Sequence, residues 1–402
     1  MDSKAQTNRM ANDNGSAALT QAAKAVAHST GSQRPSTDIA AIGTSQPQAH
    51  DAAASHTEPN EASAGQSRQT ARSTTDSHSA QHPKPLLNVE QQIAHMKSKG
   101  IAFDLCSEED ASEYLAQANN YLRTASYRKL FPRQVDGAHV GEYVNLDFEH
   151  LRVLSRIDRR LREALLLATE DVEHFAKMKV LRLSEEQGED GYAIVVDFFA
   201  SLGRDERRRM QGRLSRRGAE GEGHDMYTGD LIAHYGPVMP LWVLVEVLEF
   251  GPFLTLYKFC ASRWGDESML QEHYVLKSAK ALRNACAHGA CLVNGFCAGG
   301  PRADYRTNEL IGSSLSERGI KNGKTRRAKL RNLRIAQIAA ALYAVSALCP
   351  RESTRKRNAV RLGCVRDFYE QHRQLFRAND GIVSFFDFLW KLVDIWLSKR
   401  AQ

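Results

Sequence analysis

The sequence lacks a segment that could span a membrane, because no uninterrupted apolar stretch approaches the roughly 18 residues that a transmembrane helix needs. The N-terminus also lacks the apolar core of a secretory signal peptide. The seven cysteines are odd in number and scattered, which argues against a disulfide framework. We therefore expect a soluble, cytoplasmic protein with reduced thiols and no membrane contact.

Aromatic residues are absent from residues 1–85, where Ala, Ser, Thr, Gln, Asn and His predominate. Such a segment cannot bury enough apolar surface to offset its ordering entropy, and its five histidines are too dispersed to suggest a metal site. Its seven basic and seven acidic residues cancel, so the formal net charge of +7 belongs to residues 86–402. We predict a disordered tail over 1–85 and a folded domain over 86–402.

Strand patterns are sparse in residues 86–402, whereas helical periodicity recurs, so we predict an all-α fold. Ser107 and Asp110 have the spacing of a helix N-cap. The periodicity of residues 146–184 predicts one long amphipathic helix, or two joined, with an apolar stripe. That stripe comprises Leu151, Leu154, Ile157, Leu161, Leu165 and Ala168. The apolar segment 240–260 predicts a buried helix that breaks at Gly251 and Pro252, since proline has no N–H to donate.

Basic residues concentrate in two places, on the polar side of the long helix and in the Gly-rich segment 204–230, which we interpret as a mobile loop insertion. The candidates for contact with an RNA backbone are Arg156, Arg159, Arg160, Arg207, Arg208 and Arg209. Two interpretations stay open. The arginines of the long helix could form a solvated face paired with Asp158 and Glu163, and the insertion could be an ordinary solvated loop.

The segment Leu276–Ala290 has the composition of a helix, with Gly289 as its expected stop. It contains the pattern R-N-x-x-x-H at Arg283, Asn284 and His288. On a helix Asn284 and His288 lie one above the other, and the long stem of Arg283 can bring its guanidinium to the same cleft. These groups suit phosphodiester chemistry, because histidine moves protons near neutral pH and arginine binds phosphate oxygens bidentately.

Five segments, taken in order, resemble the abortive-infection phage-resistance family of AbiD/AbiF-like proteins. They are KPLLNVEQQIAHMKSKGIAF, YLRTASYRKLF, RIDRRLREALLLATEDVEHF, PLWVLVEVLEFGPFLTLY and LRNACAHGACLVNG. The last also resembles the R-x4–6-H signature of HEPN-type domains, in which Asn commonly follows the Arg. The resemblance covers the chain from about Pro83 to the first C-terminal helices.

This resemblance implies a HEPN-like helical bundle with additional helices and a metal-independent endoribonuclease without a cofactor. Arg283 would bind the scissile phosphate, His288 would act as general acid or base, and Asn284 would position Arg283 or the phosphate. RNA supplies its own nucleophile, the 2′-hydroxyl. HEPN protomers usually pair so that two motifs line one groove, which implies a homodimer. The family also implies that an antitoxin or a non-coding RNA acts as a further partner.

Three other interpretations compete with a ribonuclease. Cys286, His288, Cys291 and Cys297 superficially resemble a zinc cluster, but on a helix Cys286 and His288 point about 200° apart. The protein could instead be a non-catalytic RNA-binding or regulatory protein with the same helical shell. An antitoxin-like inhibitor is the third interpretation, although antitoxins are usually small and partly disordered.

Overall fold

The fold is built from packed helices. The computed structural model describes residues 85–297 and 307–398. These residues belong to the unit His82–Gln402. They contain no β-strand, only two isolated bridges, so the all-α prediction is confirmed for this part of the chain. The predicted tail, 1–85, lies outside the described residues apart from Pro85, and the boundary at residue 86 stays a prediction.

The described residues form fifteen α-helices. In chain order they are α1 Val89–Lys97, α2 Glu108–Glu113, α3 Tyr121–Ser126, α4 Phe148–Glu186, α5 Ala193–Ser201, α6 Arg204–Gly218, α7 Gly229–Tyr235, α8 Leu241–Val247, α9 Phe250–Arg263, α10 Glu267–Ala287, α11 Glu309–Glu317, α12 Lys324–Leu330, α13 Leu333–Leu348, α14 Glu352–His372 and α15 Asp380–Leu397. Short 3-10 turns cover Tyr127–Leu130, Val293–Gly295 and Arg373–Phe376. None of these helices is both long and apolar enough to cross a membrane.

Helix α4 lies at the centre of the fold and is one continuous helix of 39 residues. Asp147 caps its N-terminus by accepting a hydrogen bond from the N–H of Glu149 at 2.8 Å. All six residues of its predicted apolar stripe are fully buried. Helices α10 and α13 pack against α4 and against each other, and α14 also packs on α4. The α10 motif is therefore held by the main hydrophobic core.

The helical segment after Ser107 is less regular than its sequence pattern predicts. Ser107 caps α2 as expected, accepting a hydrogen bond from the Asp110 N–H at 3.1 Å. The chain then widens into a π-helical turn, Tyr114–Ala118, and leaves the helix at Asn119, which has an extended backbone. The Asn119 side-chain amide donates to the Ser155 hydroxyl on α4 at 2.8 Å. This interruption directs the short helix α3 across α4.

The prediction of a break at Gly251 and Pro252 is wrong in position. Helix α8 ends at Val247 and α9 begins at Phe250, so the break lies at Leu248 and Glu249. Pro252 falls in the first turn of α9, where a backbone N–H has no acceptor within the helix. Proline is tolerated there and produces no kink.

The prediction of a loop insertion over 204–230 is wrong for its first half, since Arg204–Gly218 is helix α6. Arginine, leucine, methionine and glutamine all favour helices, and Asp205 and Glu206 stabilise the positive end of the helix dipole. Met210 is buried and attaches this helix to the core. Within 204–230, the irregular backbone is confined to the residues between α6 and α7.

Candidate active site

Helix α10 carries the R-N-x-x-x-H pattern in its last turns and ends where the sequence predicts. His288 is its C-cap, and Gly289 takes the left-handed conformation with φ of 66°. The N–H of Ala290 donates to the carbonyl of Ala285 at 2.8 Å, and the Gly289 N–H donates to the carbonyl of Cys286 at 3.0 Å. These two bonds form a Schellman motif, which fixes the direction in which the chain leaves His288.

The three motif residues lie together at this helix end, with different exposures. His288 is exposed, whereas Arg283 and Asn284 are partly buried. The Arg283 Nη1 donates to the Asn284 Oδ1 at 3.3 Å, and the backbone N–H of His288 donates to the carbonyl of Asn284 at 3.0 Å. The imidazole of His288 is thus accessible to a large substrate, and the side chains of Arg283 and Asn284 contact each other one turn before it.

Arg283 also lies in the electrostatic field of α4. Burial raises the pKa of the Glu173 carboxyl, while the positive charges of Lys177 and Arg283 oppose that rise. The Nε of Arg283 is buried and has no hydrogen-bond partner among the described residues. In this conformation the guanidinium therefore contacts Asn284 and interacts with Glu173, and it has unused hydrogen-bonding capacity.

An open pocket of about 790 Å³ lies at the C-terminal end of α10. Cys286, Ala287 and Gly289 form one side, and α4 together with residues 114–123 forms the others. Five arginines line it, namely Arg123, Arg152, Arg156, Arg159 and Arg162. Glu163 is the acidic residue among the lining side chains, and it is paired with Arg159 at 3.0 Å. A strongly basic pocket therefore opens directly beside His288.

Residues 113–294 match the family model of the Abi-like protein. Over these residues the chain is similar to the Abi-like family. The matched segment contains α3, α4, α10, the motif and the basic pocket. Comparison with curated proteins gave no match, and comparison with solved structures gave none either.

The arginines predicted to contact RNA are divided between different surfaces of the Abi-like segment. Arg156 and Arg159 line the basic pocket. Arg160 stacks on Phe368, with its guanidinium carbon 4.0 Å from the ring centroid, and Arg156 lies 5.0 Å from the same centroid. The pocket therefore brings together two of the three candidates from α4.

The α6 candidates lie elsewhere. Arg207 donates to the carbonyl of Leu202 at 3.2 Å, so it holds the connection between α5 and α6. Arg208 and Arg209 are exposed, and Arg209 lines a separate groove that also includes Glu206 and Lys280. None of the three lines the basic pocket.

Asp158 is a residue of the Abi-like segment whose importance the sequence did not reveal. Its carboxylate is fully buried and accepts hydrogen bonds from the N–H groups of Leu292 at 2.7 Å and Val293 at 2.6 Å. It also pairs with the Nε of Arg162 at 3.0 Å. Burial raises the pKa of Asp158, whereas the Val293 hydrogen bond, the Arg162 charge and the Leu292 hydrogen bond oppose this. Asp158 thus holds both the chain that follows the motif and an arginine of the pocket.

Arg123, Arg162 and Gly289 are further residues of this site that sequence reasoning did not select. A Cβ atom on Gly289 would lie 3.2 Å from Arg162 Nη1 and 3.4 Å from Arg123 Nη2. Arg123 lies within a segment used to recognise the family, but nothing in its spacing indicates contact with residue 289. The contact follows from the way α3 crosses α4.

The residues of the suggested zinc cluster do not converge. Cys286 is buried, whereas His288 is exposed, in keeping with their different directions on a helix. Within residues 85–297 and 307–398, no three His, Cys, Asp or Glu side chains are arranged to hold a metal ion.

Proposed function

We propose that the protein is a metal-independent endoribonuclease of an abortive-infection system. The observation that carries the proposal is the exposed His288 at the end of α10, one turn after Asn284, whose side chain contacts Arg283, and beside a pocket lined by five arginines. Arginine guanidinium groups bind phosphate oxygens bidentately, and histidine transfers protons near neutral pH. An RNA backbone is the substrate that offers both phosphates and an internal hydroxyl nucleophile.

The reaction needs only groups of the RNA and of this chain. The 2′-oxygen attacks the adjacent phosphorus, the P–O5′ bond breaks, and the products are a 2′,3′-cyclic phosphate and a 5′-hydroxyl. His288 moves a proton, either from the 2′-hydroxyl or to the departing 5′-oxygen. Arg283 stabilises the charge that develops on the phosphoryl oxygens, and the Asn284 amide, 3.3 Å away, orients the guanidinium.

A homodimer is part of this proposal, because each chain supplies one copy of the motif. Two protomers would place two His288 side chains in one groove, so that one could act as base while the other acts as acid. Light scattering on the full chain would measure the mass. A strictly monomeric protein that still cleaves RNA would contradict the dimer.

The decisive experiment compares the wild type with His288→Ala on total RNA in the presence of EDTA. We expect the wild type to leave cyclic phosphate ends and the variant to cleave about 10² to 10⁴ times more slowly. His174→Ala, which removes an exposed histidine from α4, serves as the matched control and is expected to cleave normally. Full cleavage by His288→Ala would refute the assignment of this residue.

A non-catalytic RNA-binding or regulatory role is the second candidate. It is favoured by the arrangement of Arg283, whose guanidinium contacts Asn284 and interacts with Glu173. On this alternative the wild type binds RNA through the basic pocket without cutting it. An antitoxin or a non-coding RNA could occupy the same surface and restrain the protein before infection. Binding by the wild type with no cleavage under any condition would support this alternative.

A further inference from the structure

We infer that Arg123 and Arg162 form a phosphate-binding subsite that holds an RNA backbone phosphate next to the scissile linkage. The inference rests on the proposed function for the position of that linkage, at His288. The subsite is separate from Arg283 and assigns a role to α3 and to the buried Asp158.

The two guanidinium groups converge on one point beside the motif. The position that a Cβ of Gly289 would occupy lies 3.2 Å from Arg162 Nη1 and 3.4 Å from Arg123 Nη2. Gly289 directly follows His288, so their Cα atoms are about 3.8 Å apart. The two guanidinium charges repel each other at this separation, and a negative group between them would offset the repulsion. The carbonyl end of α10 supplies part of that negative charge, and a bound phosphate would supply the rest.

Arg162 is oriented before any ligand binds. The Asp158 carboxylate pairs with its Nε at 3.0 Å, which leaves the two terminal nitrogens free of that ion pair. The Arg162 side chain is 13% exposed and its partner Asp158 is 0% exposed, so this geometry is held by the core. A guanidinium fixed through Nε loses less side-chain entropy when its terminal nitrogens bind an anion.

Arg123 complements this arrangement from α3. Its guanidinium takes part in no ion pair among the described residues, although it is only partly exposed and lines the pocket. Arg123 therefore supplies a positive charge that no carboxylate of the described residues pairs with. Together the two side chains can surround the two unbridged oxygens of one phosphodiester.

The surroundings favour an extended RNA strand as the occupant. Arg152, Arg156 and Arg159 continue the positive surface along α4, one turn apart. The pocket is open and about 790 Å³ in volume, which is enough for a nucleotide. A strand whose scissile phosphate lies at His288 would place its neighbouring phosphate at Gly289 and pass along α4.

The test measures the affinity of the full chain for a 2′-O-methyl RNA oligonucleotide that lacks terminal phosphates, using fluorescence anisotropy. This probe cannot be cleaved through its 2′-oxygen, so binding is measured apart from catalysis. We expect Arg123→Ala and Arg162→Ala to weaken binding about tenfold each, and each to lower the slope of log affinity against log salt by about 0.7. Arg182→Ala lies on the same helix, about 30 Å further along the axis, and is expected to bind normally.

Arg162→Lys is the second variant, because it keeps the charge beside Asp158 and so preserves the fold. It should still lose affinity, since an ammonium group cannot form the bidentate contact. Unchanged binding by Arg123→Ala and Arg162→Lys, or an equal loss in Arg182→Ala, would overturn the subsite. The two proposals can fail separately. If RNA cleavage depends on His288 but the affinity for RNA does not depend on Arg123 and Arg162, only the subsite is refuted. If RNA binding depends on Arg123 but no RNA is cleaved, only the proposed ribonuclease activity is refuted.

Discussion

The carboxylate of Asp158 lies 3.0 Å from the Nε of Arg162, one turn along α4, and both groups are withdrawn from solvent. The same helix carries a second pair with the same spacing and the same 3.0 Å separation, Arg159 with Glu163, whose side chains are 77% and 60% exposed. Burial is therefore the main difference between the two pairs.

This contrast predicts unequal costs for two similar substitutions. Asp158→Asn leaves Arg162 without its counterion inside the protein and should lower the free energy of unfolding by about 3 kcal/mol. Glu163→Gln breaks an exposed pair and should cost at most about 0.5 kcal/mol. Urea denaturation of both variants measures the difference. Equal costs would mean that Asp158 does not act as a buried counterion.

Gly289 and Gly188 form a natural pair for testing the contact at the motif. Both have φ of 66° at the end of a helix, but a Cβ on Gly188 would have nothing within 4 Å. Alanine at either position should cost about 1 kcal/mol because of the left-handed backbone. Only Gly289→Ala should also displace Arg123 and Arg162 and weaken RNA binding in a gel-shift assay. Equal binding by the two variants would contradict the contact.

His273 predicts a loss of stability in acid. Burial, together with Lys277 and Lys258, lowers its pKa from 6.5 to about 4. The unfolded chain then binds the proton more readily, so this contribution is complete above about pH 6.5 and is lost as the pH falls toward 4. The loss at pH 5 should be about 2 kcal/mol.

Urea unfolding at pH 7 and at pH 5 measures this effect, because the change between the two values should be smaller in His273→Gln than in the wild type. His174→Gln replaces an exposed histidine and should respond to pH as the wild type does. If His273→Gln loses as much stability between pH 7 and pH 5 as the wild type, other groups cause the acid sensitivity.

We predict a structural role for Arg217, which lies near the end of the arginine-rich α6. It donates to the Asp225 carboxylate at 3.1 Å, to the Thr228 hydroxyl at 2.6 Å and to the Val247 carbonyl at 2.8 Å. Arg217→Ala should release the connection between α6 and α7 and make it sensitive to limited proteolysis, with a stability cost of about 2 kcal/mol. Arg216→Ala, at an exposed neighbouring position, is the control and should be resistant. Equal digestion of both variants would argue against this role.

Local patterns were sufficient to predict much of the fold. The period of the apolar residues in α4, the cap at Ser107 and the stop at Gly289 depend on neighbours in sequence, and all three are present in the structure. The break at Pro252 was wrongly predicted because the effect of a proline depends on its position within the helix. The start of α9 at Phe250 has no strong signal in the local sequence.

The arrangement of the candidate site could be predicted only in part. The i,i+4 relation of Asn284 and His288 follows from helix geometry alone. Asp158 was interpreted as a possible member of a solvated face, and it is instead fully buried beneath residues 292 and 293, more than 130 positions away in sequence. Arg123 reaches Gly289 because of a π-helical turn and the crossing of α3 over α4. Such contacts depend on tertiary packing, which single-segment patterns do not contain.

The packing of α13 between α4 and α10 has a consequence for how the protein can be divided. The family match ends at residue 294, but the apolar surface of α4 and α10 is covered by α13, which lies beyond it. Ile335, Ile338 and Leu342 are fully buried there. A fragment restricted to the matched residues would expose this surface and aggregate. The recognisable segment and its C-terminal neighbour therefore constitute one folding unit, and insertions or fusions belong outside it.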